Sequence, residues 1–416
     1  MTQFNRRNFL KLLGGSVALG ALPFAAKAGS PYRVVVVGGG FGGASVAKYL
    51  RMWGGSAVSV TLIDPSTSHV SCIGSNQVLN GHATIASLTN YYTKLQNTYG
   101  VSLMTDTVQQ IDPIAYRLHL ASGATVDYDR VVVAPGIDFD TVAGLDYNKM
   151  PHAWKAGTQT TLLKNQLSAM SAGGNFVMAI PPTPFRAHAA PYERACVVAD
   201  FFKRKKPGSK VLILDANASI AAMPTTFKNA FLGTYANIIE YKPSVTLNSA
   251  DATTMTLNTS IGAVAGSVIN VIPRQKAGAV LFSSGLIPAG SRWSPVNPLN
   301  YESTLFPGVH ILGDAQSTGQ AKSGHMANSQ AKVCADAILR SLTGLAPDAA
   351  PVTSAASFPQ ISSDTASWST TTYYFDTVSR SMKAVAGTPA EAPSPTQDLY
   401  STLFDWQKNL FSDTYN

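Results

Sequence analysis

The sequence is poor in charged residues and in cysteine. Only 13% of its 416 residues are charged, against 45% hydrophobic residues, so the chain can bury the cores of two or three domains and is not a disordered protein. Three cysteines are too few for a disulfide-stapled scaffold. No Cys-x-x-Cys-His segment occurs, which excludes a c-type haem attached to this chain.

A strong excess of one charge is also missing. The formal net charge is +8, and it falls to +4 without residues 1–28, which carry four basic residues and no acid. This mild excess is not the basic footprint of a nucleic-acid-binding protein.

The apolar run near the N-terminus is shorter than the roughly 20 residues of a membrane span. It covers residues 12–24, follows Arg6 and Arg7, contains glycine and proline, and precedes the small-x-small segment 26–28. This pattern predicts a twin-arginine signal peptide over residues 1–28, export to the periplasm and no stable membrane insertion. The alternative is an N-terminal membrane anchor.

A buried strand, a glycine turn and a helix follow one another after this segment. The β-branched run 32–37 predicts a central strand of a parallel sheet, and residues 44–52 predict a helix. Between them lies Gly38-x-Gly40-Phe41-x-Gly43, the spacing of a dinucleotide-binding turn. Asp64 ends the next predicted strand (57–63), where its carboxylate can accept ribose hydroxyls. The alternative is a glycine-rich turn without a ligand.

Two later segments indicate that the dinucleotide is FAD. The predicted strand at 309–312 runs into Gly313-Asp314, an aspartate position that flavin proteins of this architecture use. Lys322, Ser323 and Gly324 then open a predicted helix at 326–342, whose N-terminus can stabilise negative charge on a flavin. For Lys322 and His325 a solvated helix start is equally compatible with the sequence.

A second strand–helix–strand unit begins near residue 175, with strands at 176–180 and 210–215 and a helix at 192–205. Prolines follow its first strand at 181 and 182, where a nicotinamide site requires glycines, and proline has no N–H for a phosphate. NAD(P)H is therefore not expected as a partner. Residues 345–416 shift in composition and end in aromatic segments that serve either docking or core packing.

Several long blocks resemble the flavoprotein subunit of flavocytochrome c sulfide dehydrogenase, a relative of sulfide:quinone reductases and disulfide reductases. The resemblance covers nearly the whole chain after the signal segment. The matching blocks are residues 71–78, 129–136, 151–157, 184–186 with 191–195, and 322–324 with 327–330.

The resemblance implies a fold, a cofactor and a partner. The fold is α/β, with two Rossmann-like, glutathione-reductase-like domains and a small C-terminal α+β domain. Cys72 falls where the family's cysteine forms a thioether to the flavin 8α-methyl carbon, so covalent FAD is expected; a buried structural thiol is the alternative. The family passes electrons to a separate c-type cytochrome subunit.

The chain departs from the family where sulfur chemistry takes place. The family's redox-active disulfide has its first cysteine at the position of Ala187 and its second near residues 355–358, and neither is a cysteine here. Cys196 and Cys334 lie in predicted helices, where apolar packing is a simpler explanation than a substitute disulfide. His188 adjoins the lost cysteine, either as a proton acceptor or as a surface loop histidine.

These observations predict a periplasmic FAD-dependent oxidoreductase that transfers electrons from a small reductant, such as sulfide or another reduced sulfur compound, to a c-type cytochrome. The alternative is a flavin-binding electron-transfer subunit without sulfide dehydrogenase activity. The predicted domains are 29–150 with 270–344 for FAD, 151–269 for the second Rossmann-like unit and 345–416 for the C-terminal part. Candidate catalytic residues are His188, Glu193 and Lys322. Candidate cofactor-binding residues are Gly38, Gly40, Phe41, Gly43, Asp64, Cys72, Gly136, Gly313, Asp314, Lys322, Ser323 and Gly324.

Overall fold

A computed structural model describes residues 30–416, so the predicted signal peptide lies outside the described residues. The strands are β1 (Tyr32–Val37), β2 (Val58–Asp64), β3 (Ser68–Val70), β4 (Thr89–Tyr91), β5 (Ser102–Thr105), β6 (Val108–Asp112), β7 (Arg117–Leu120), β8 (Thr125–Asp127), β9 (Arg130–Val133), β10 (Ile137–Phe139), β11 (Asn175–Ile180), β12 (Lys210–Asp215), β13 (Ile239–Lys242), β14 (Leu247–Asp251), β15 (Thr256–Thr259), β16 (Gly262–Ala265), β17 (Val268–Val271), β18 (Gln275–Ala277), β19 (Val309–Ile311), β20 (Val352–Ser357), β21 (Ser369–Asp376), β22 (Ser381–Ala384) and β23 (Ala390–Glu391). The α-helices are α1 (Phe41–Gly54), α2 (Ser75–Leu79), α3 (Thr93–Asn97), α4 (Thr158–Ala169), α5 (Ala190–Lys205), α6 (Pro224–Asn229), α7 (Ala279–Ser283), α8 (Gly324–Leu342) and α9 (Gln397–Tyr415).

The first sheet is parallel, with strand order β19-β9-β1-β2-β5. Its central strand β1 is buried from Val34 to Val37, because α1 and α8 share one hydrophobic cluster with the sheet. A strand buried on both faces has no polar face, which explains why the run 34–37 is continuously apolar rather than alternating, whereas Arg33 before it is exposed. The predicted strand is confirmed with the same bounds.

The second sheet is also parallel, with order β13-β12-β11-β17. Helix α5 packs in the same hydrophobic cluster as these strands. Three short antiparallel strands, β14-β15-β16, follow it in sequence before the chain returns through β17. The chain therefore contains two separate parallel sheets with helices, which confirms the predicted α/β class with two Rossmann-like units.

The C-terminal part forms an antiparallel sheet of β20, β21 and β22, with β23 beside β21. Helix α9 follows it but packs against the first core cluster, to which it contributes Leu410 and Tyr415. The Lys48 ammonium of α1 fixes its end by donating to the carbonyl oxygens of Ser412, Asp413 and Asn416 at 2.6–3.2 Å. The predicted domain boundaries remain predictions. Between residues 30 and 416 no helix is long and apolar enough to cross a membrane.

Candidate functional site

One elongated cavity of about 1170 Å³ connects the glycine turn, the Cys72 loop, the Asp314 segment and β20. Ordinary small-molecule sites measure roughly 300–1,000 Å³, so this volume suits a ligand as long as a dinucleotide. All of the predicted cofactor-binding and catalytic residues except Gly43 line it. Sequence positions that are far apart thus meet around one space.

Each of the three motif glycines, Gly38, Gly40 and Gly43, is required for a different physical reason. Gly38 has a φ of +95°, and a Cβ there would lie 2.6 Å from the Ala134 carbonyl oxygen. Gly43 faces away from the cavity, and its Cβ would lie 1.8 Å from the Gly38 carbonyl oxygen, so it serves helix–strand packing. At Gly40 a Cβ would meet only His69, at 3.7 Å. Gly40 therefore leaves the space through which a pyrophosphate can approach the free N–H groups at the start of α1.

Asp64 supports this turn as well as facing the cavity. Its carboxylate oxygens accept from the N–H groups of Gly39 at 2.6 Å and Ser66 at 2.8 Å. Burial raises the pKa of Asp64, and these two hydrogen bonds oppose the rise. A carboxylate offers about four acceptor positions. Asp64 can therefore accept ribose hydroxyls while it holds the turn.

Tyr415 of α9 packs beside the turn, which no sequence motif indicated. Its ring lies 5.8 Å from Phe41 and 6.1 Å from His69, measured between ring centroids. His69 itself lines the cavity, and burial lowers its pKa to about 4, so the imidazole is neutral at physiological pH. Tyr415 thus packs behind two residues that line the cavity, Phe41 and His69, and supports them near the predicted pyrophosphate position.

Asp314 follows β19 in the chain and lines the same cavity as the glycine turn. The preceding residue, Gly313, has a φ of +74°, and its N–H donates to the Gln330 side chain at 2.9 Å. The Oδ1 atom of Asp314 is buried and has no hydrogen-bond partner among the described residues. A buried acceptor without a partner is costly. A hydroxyl group of a bound cofactor would satisfy it.

Lys322 is buried, with 8% of its surface exposed. Its ammonium donates to the carbonyl oxygens of Asp314 at 2.8 Å and Gln316 at 2.7 Å, and it lies 3.8 Å from the centre of the Trp293 ring. Burial lowers its pKa to about 8, against the nearby Asp314 charge. The solvated helix start that the sequence allowed is therefore wrong for Lys322. Trp293 is a cavity residue that the sequence did not indicate.

His325 is half-buried in the cavity wall and is hydrogen-bonded by the protein rather than fully solvated. Its Nδ1 atom faces two N–H donors, the backbone N–H of Ala356 at 3.0 Å and the indole N–H of Trp406 at 3.2 Å. Two donors require an acceptor, so Nδ1 carries no proton and the imidazole is neutral. Burial lowers its pKa to about 4. Ser323 caps this helix by accepting from the Met326 N–H at 3.1 Å.

Glu193 and His188 both face the cavity. The carboxylate of Glu193 accepts from the Asn76 amide at 2.8 Å and from the Gln360 N–H at 3.0 Å, and burial raises its pKa. The His188 ring packs against Phe185 at 4.8 Å, and burial lowers its pKa. His188 is thus a half-buried loop histidine that lines the cavity, and its role as a proton acceptor stays a prediction.

The two positions that lack cysteine line the same cavity. Ala187 has a φ of +55°, and Ala355 and Ala356 lie on β20. Cys196 and Cys334 are fully buried in different hydrophobic clusters, and burial raises the pKa of both thiols. They do not form a substitute disulfide. Of the three cysteines only Cys72 lines the cavity.

Cys72 lies against the loop that joins β10 to α4. Its Sγ atom is 3.4 Å from the Trp154 carbonyl oxygen, which also accepts from the Arg186 guanidinium. Arg194, with 2% of its surface exposed, supports this loop by donating to the Ala153 carbonyl oxygen at 2.6 Å. Neither Arg194 nor Asn76 was a candidate, although both lie within blocks that carry the resemblance.

The residues present fit FAD. The open side of Gly40 accommodates a pyrophosphate, the acceptor without a partner on Asp314 accommodates a hydroxyl, and the cavity connects both to Cys72 and to the N-terminus of α8. These features define a dinucleotide-binding flavoprotein of the two-domain oxidoreductase type.

Comparison with known proteins gives the same class and a narrower family. A family model described as "Pyridine nucleotide-disulphide oxidoreductase" matches residues 32–167. Another, described as "Sulfide dehydrogenase [flavocytochrome c] flavoprotein chain, central", matches residues 160–273. The sulfide dehydrogenase [flavocytochrome c] flavoprotein chain of Chlorobaculum thiosulfatiphilum is 65% identical over 46 residues, which are 11% of this chain and 94% of that sequence. The chain belongs to the family of this flavoprotein chain and is an FAD-dependent oxidoreductase.

More distant relatives share the fold. The mitochondrial sulfide:quinone oxidoreductase of Dictyostelium discoideum is 22% identical over 337 residues, covering 75% of this chain and 72% of that protein. The structure of sulfide:quinone oxidoreductase from Aquifex aeolicus superimposes with a TM-score of 0.72 at 15% identity, covering 92% of both chains. An NAD-dependent persulfide reductase from A. fulgidus gives a TM-score of 0.61 at 13% identity, covering 90% of this chain and 76% of that one.

Proposed function

We propose that this oxidoreductase is the exported flavoprotein subunit of a flavocytochrome c, with FAD bound covalently at Cys72. It takes electrons from a small reduced sulfur compound and passes them to a c-type cytochrome. The observation that carries the proposal is the single cavity that joins the FAD-binding elements to Cys72 and to the two positions without cysteine. Bound FAD accepts two electrons from a donor and can release them one at a time.

The substrate side of the cavity contains no thiol apart from Cys72. In the proposed function the sulfur donor therefore reaches the flavin itself rather than a protein disulfide. Ala187 and Ala356 leave room where sulfur atoms lie in the family pattern. Arg186 lines the same cavity, with 15% of its side chain exposed and its guanidinium 3.9 Å from the Asp314 carboxylate, and its charge favours an anionic donor. The neutral His188 ring can accept a proton from that donor.

Positive charge surrounds the predicted flavin position. Lys322 holds its ammonium between two carbonyl oxygens, and α8 begins at the next residues with its free N–H groups. Both stabilise negative charge that develops in the cavity when electrons arrive. Trp293 and Trp406 add apolar surface to the lining of the same cavity.

A separate cytochrome is supported by two observations. The Chlorobaculum relative is named as a chain of a flavocytochrome c, and this sequence has no haem-attachment motif of its own. Export by the twin-arginine route is supported by the residues at 6–28, and this route carries proteins that have already folded around a cofactor. A nicotinamide is not proposed as the electron donor, because Pro181 and Pro182 follow β11 where phosphate-binding glycines are required.

The experiment that tests this function is an anaerobic titration of the purified holoprotein with sulfide, sulfite and small thiols, with the flavin absorbance near 450 nm followed by spectroscopy (about 450 nm is the usual flavin band). Bleaching by one of these donors, followed by reduction of an added c-type cytochrome, is the expected result. NADH is the control and should bleach nothing. Absence of bleaching with every sulfur donor contradicts the dehydrogenase function.

A second candidate is an electron-transfer subunit that retained the flavin and lost the substrate chemistry. The missing cysteine pair at Ala187 and residues 355–358 favours it. Protein that exchanges electrons with a cytochrome but is reduced by none of the sulfur donors would establish this second function instead.

A further inference from the structure

Arg194 is a buried cation whose direct hydrogen-bond partners are all neutral. Its Nε donates to the Asn76 side-chain oxygen at 2.9 Å, and its Nη1 donates to the Asn270 side-chain oxygen at 2.8 Å. The remaining contacts go to backbone carbonyl oxygens, of His152 at 3.2 Å and Ala153 at 2.6 Å. Burial lowers the pKa of Arg194 to about 10, so the guanidinium keeps its charge at neutral pH. The Glu193 carboxylate opposes this shift, but it binds the Asn76 amide at 2.8 Å rather than the guanidinium itself. The hydrogen bonds of Arg194 therefore serve the neutral groups that it joins.

These contacts connect the two segments that meet at Cys72. Asn76 follows Cys72 by four residues and lies in the first turn of the short helix α2, and both residues line the cavity. His152 and Ala153 belong to the loop on the other side. Asn270 adds a second attachment, because its amide nitrogen donates to the carbonyl oxygens of Pro151 at 2.6 Å and His152 at 2.9 Å. Arg194 therefore fixes the separation between the Cys72 segment and the 151–154 loop.

The loop held in this way has a constrained backbone. Ala153 has a φ of +44°, in the left-handed region that costs energy for any residue with a Cβ. Its carbonyl oxygen is bound by Arg194, and the next carbonyl oxygen, of Trp154, points at the Cys72 sulfur. The same Trp154 oxygen accepts from Arg186, which brings a second guanidinium next to the thiol. The Arg194 guanidinium also lies 5.2 Å from the centre of the Trp154 ring.

We infer that Arg194 is a positioning residue for the attachment of FAD to Cys72. It holds the 151–154 loop so that the Trp154 carbonyl aims the thiol into the cavity, and Arg186 on the same carbonyl stabilises the sulfur once its proton has left. This inference rests on the proposed covalent anchoring. Attachment removes the thiol proton and one hydrogen of the 8α-methyl carbon and forms one C–S bond. It leaves two electrons on the flavin, which dioxygen removes as it is reduced to hydrogen peroxide.

The test follows attachment separately from binding. Full-length protein is produced in a host limited for riboflavin, mixed with saturating FAD in air, and sampled over time. Intact mass and flavin fluorescence after acid denaturation give the covalent fraction, and gel filtration of the native sample gives total bound FAD. For Arg194→Lys we expect attachment to be about 10- to 100-fold slower, since a displacement of about 1 Å has effects of that size, while total binding of FAD is preserved.

Arg51→Lys is the matched control, because Arg51 also collects backbone carbonyl oxygens, of Tyr99, Gly55 and Val58, and does not line the cavity. It should attach FAD at the wild-type rate. If Arg194→Lys does not fold, the attachment rate is measured in Arg186→Met instead. The Arg186 side chain faces the cavity, and its loss should also slow attachment at saturating FAD.

Attachment at the wild-type rate in folded Arg194→Lys, or in Arg186→Met if the former is unfolded, overturns the inference. Wild-type protein that binds FAD and never attaches it is a different outcome. That result would refute the covalent anchoring in the proposed function, and the positioning role of Arg194 with it.

Discussion

The backbone N–H of Ala187 donates to the carbonyl oxygen of Lys322 at 2.8 Å. This bond joins the loop at the first missing cysteine to the segment that carries the cavity's buried ammonium. The methyl group of Ala187 thus lies beside the predicted flavin position without any sulfur that reacts. The consequence is an enzyme whose chemistry should not depend on a redox-active thiol.

Alkylation provides a count of the thiols that tests this consequence. Native holoprotein should not be inactivated by iodoacetamide, because Cys196 and Cys334 are fully buried and Cys72 is proposed to be bonded to flavin. After denaturation exactly the two buried cysteines should react, as read by intact mass. A third alkylated site would show that Cys72 carries a free thiol.

Cys72→Ala should separate anchoring from binding. The glycine turn, Asp64 and Asp314 do not depend on the thiol, so the variant should still bind FAD but release all of it on acid denaturation. The released and retained flavin are measured by fluorescence of supernatant and pellet. Cys334→Ala, which changes a cysteine remote from the cavity, should retain its flavin in the pellet. Retained flavin in Cys72→Ala would place the attachment elsewhere.

Gly40→Ala should lower the affinity for FAD, whereas Gly43→Ala should lower the stability of the fold. At Gly43 a Cβ would overlap the Gly38 carbonyl oxygen at 1.8 Å, so we expect the free energy of unfolding to fall by about 1–3 kcal/mol. At Gly40 the Cβ meets only His69 at 3.7 Å, so the fold should tolerate alanine while FAD affinity drops. Thermal unfolding of the flavin-free proteins and FAD titration separate the two effects. Equal loss of stability in both variants would contradict these roles.

Asp314→Ala should weaken FAD binding before attachment. Its buried Oδ1 lacks a partner in the protein, and a hydrogen bond to a charged group contributes about 1.5–3 kcal/mol, so affinity should fall by roughly 10- to 100-fold. The measurement is FAD titration in the Cys72→Ala background, where all binding is reversible. Asp336→Ala is the control, because Asp336 lies in α8 and pairs with Arg340 at 2.7 Å. Unchanged affinity in Asp314→Ala would remove Asp314 from the cofactor site.

His325 should make the fold sensitive to acid. Its pKa is about 4 in the folded chain, against 6.5 ordinarily, because of burial, so between these values the unfolded chain binds a proton that the folded chain does not. The free energy of unfolding therefore falls as the pH is lowered through this window, by at most about 1.4 kcal/mol per pH unit for one group.

The check is urea unfolding of wild type and His325→Gln between pH 7 and pH 4. Stability is expected to fall less steeply with acid in the variant, since glutamine binds no proton. His119→Gln, at an exposed strand position, should leave the slope as in wild type. Parallel slopes for wild type and His325→Gln would mean that folding does not lower the pKa of His325.

The sequence by itself determined the elements whose cause is local. An unbroken β-branched strand, glycines where a Cβ would overlap the backbone, and an acid at the end of the next strand specify a dinucleotide turn, and these residues occur within residues 32–64. The blocks of family resemblance added Cys72 and the missing cysteine pair. The two Rossmann-like units followed from the same local patterns.

Only the tertiary structure decided which charged and polar residues of the cavity are buried and which groups they contact. Lys322 was compatible with solvent until Trp293 and the carbonyl of Asp314 were placed against it. Arg194 lies in a block that carries the resemblance, but no local pattern indicated its role, because its partners, Asn76 and Asn270, are 118 and 76 residues away. Whether a polar side chain is buried depends on groups that the fold brings together from distant segments, and the local pattern carries no information about them.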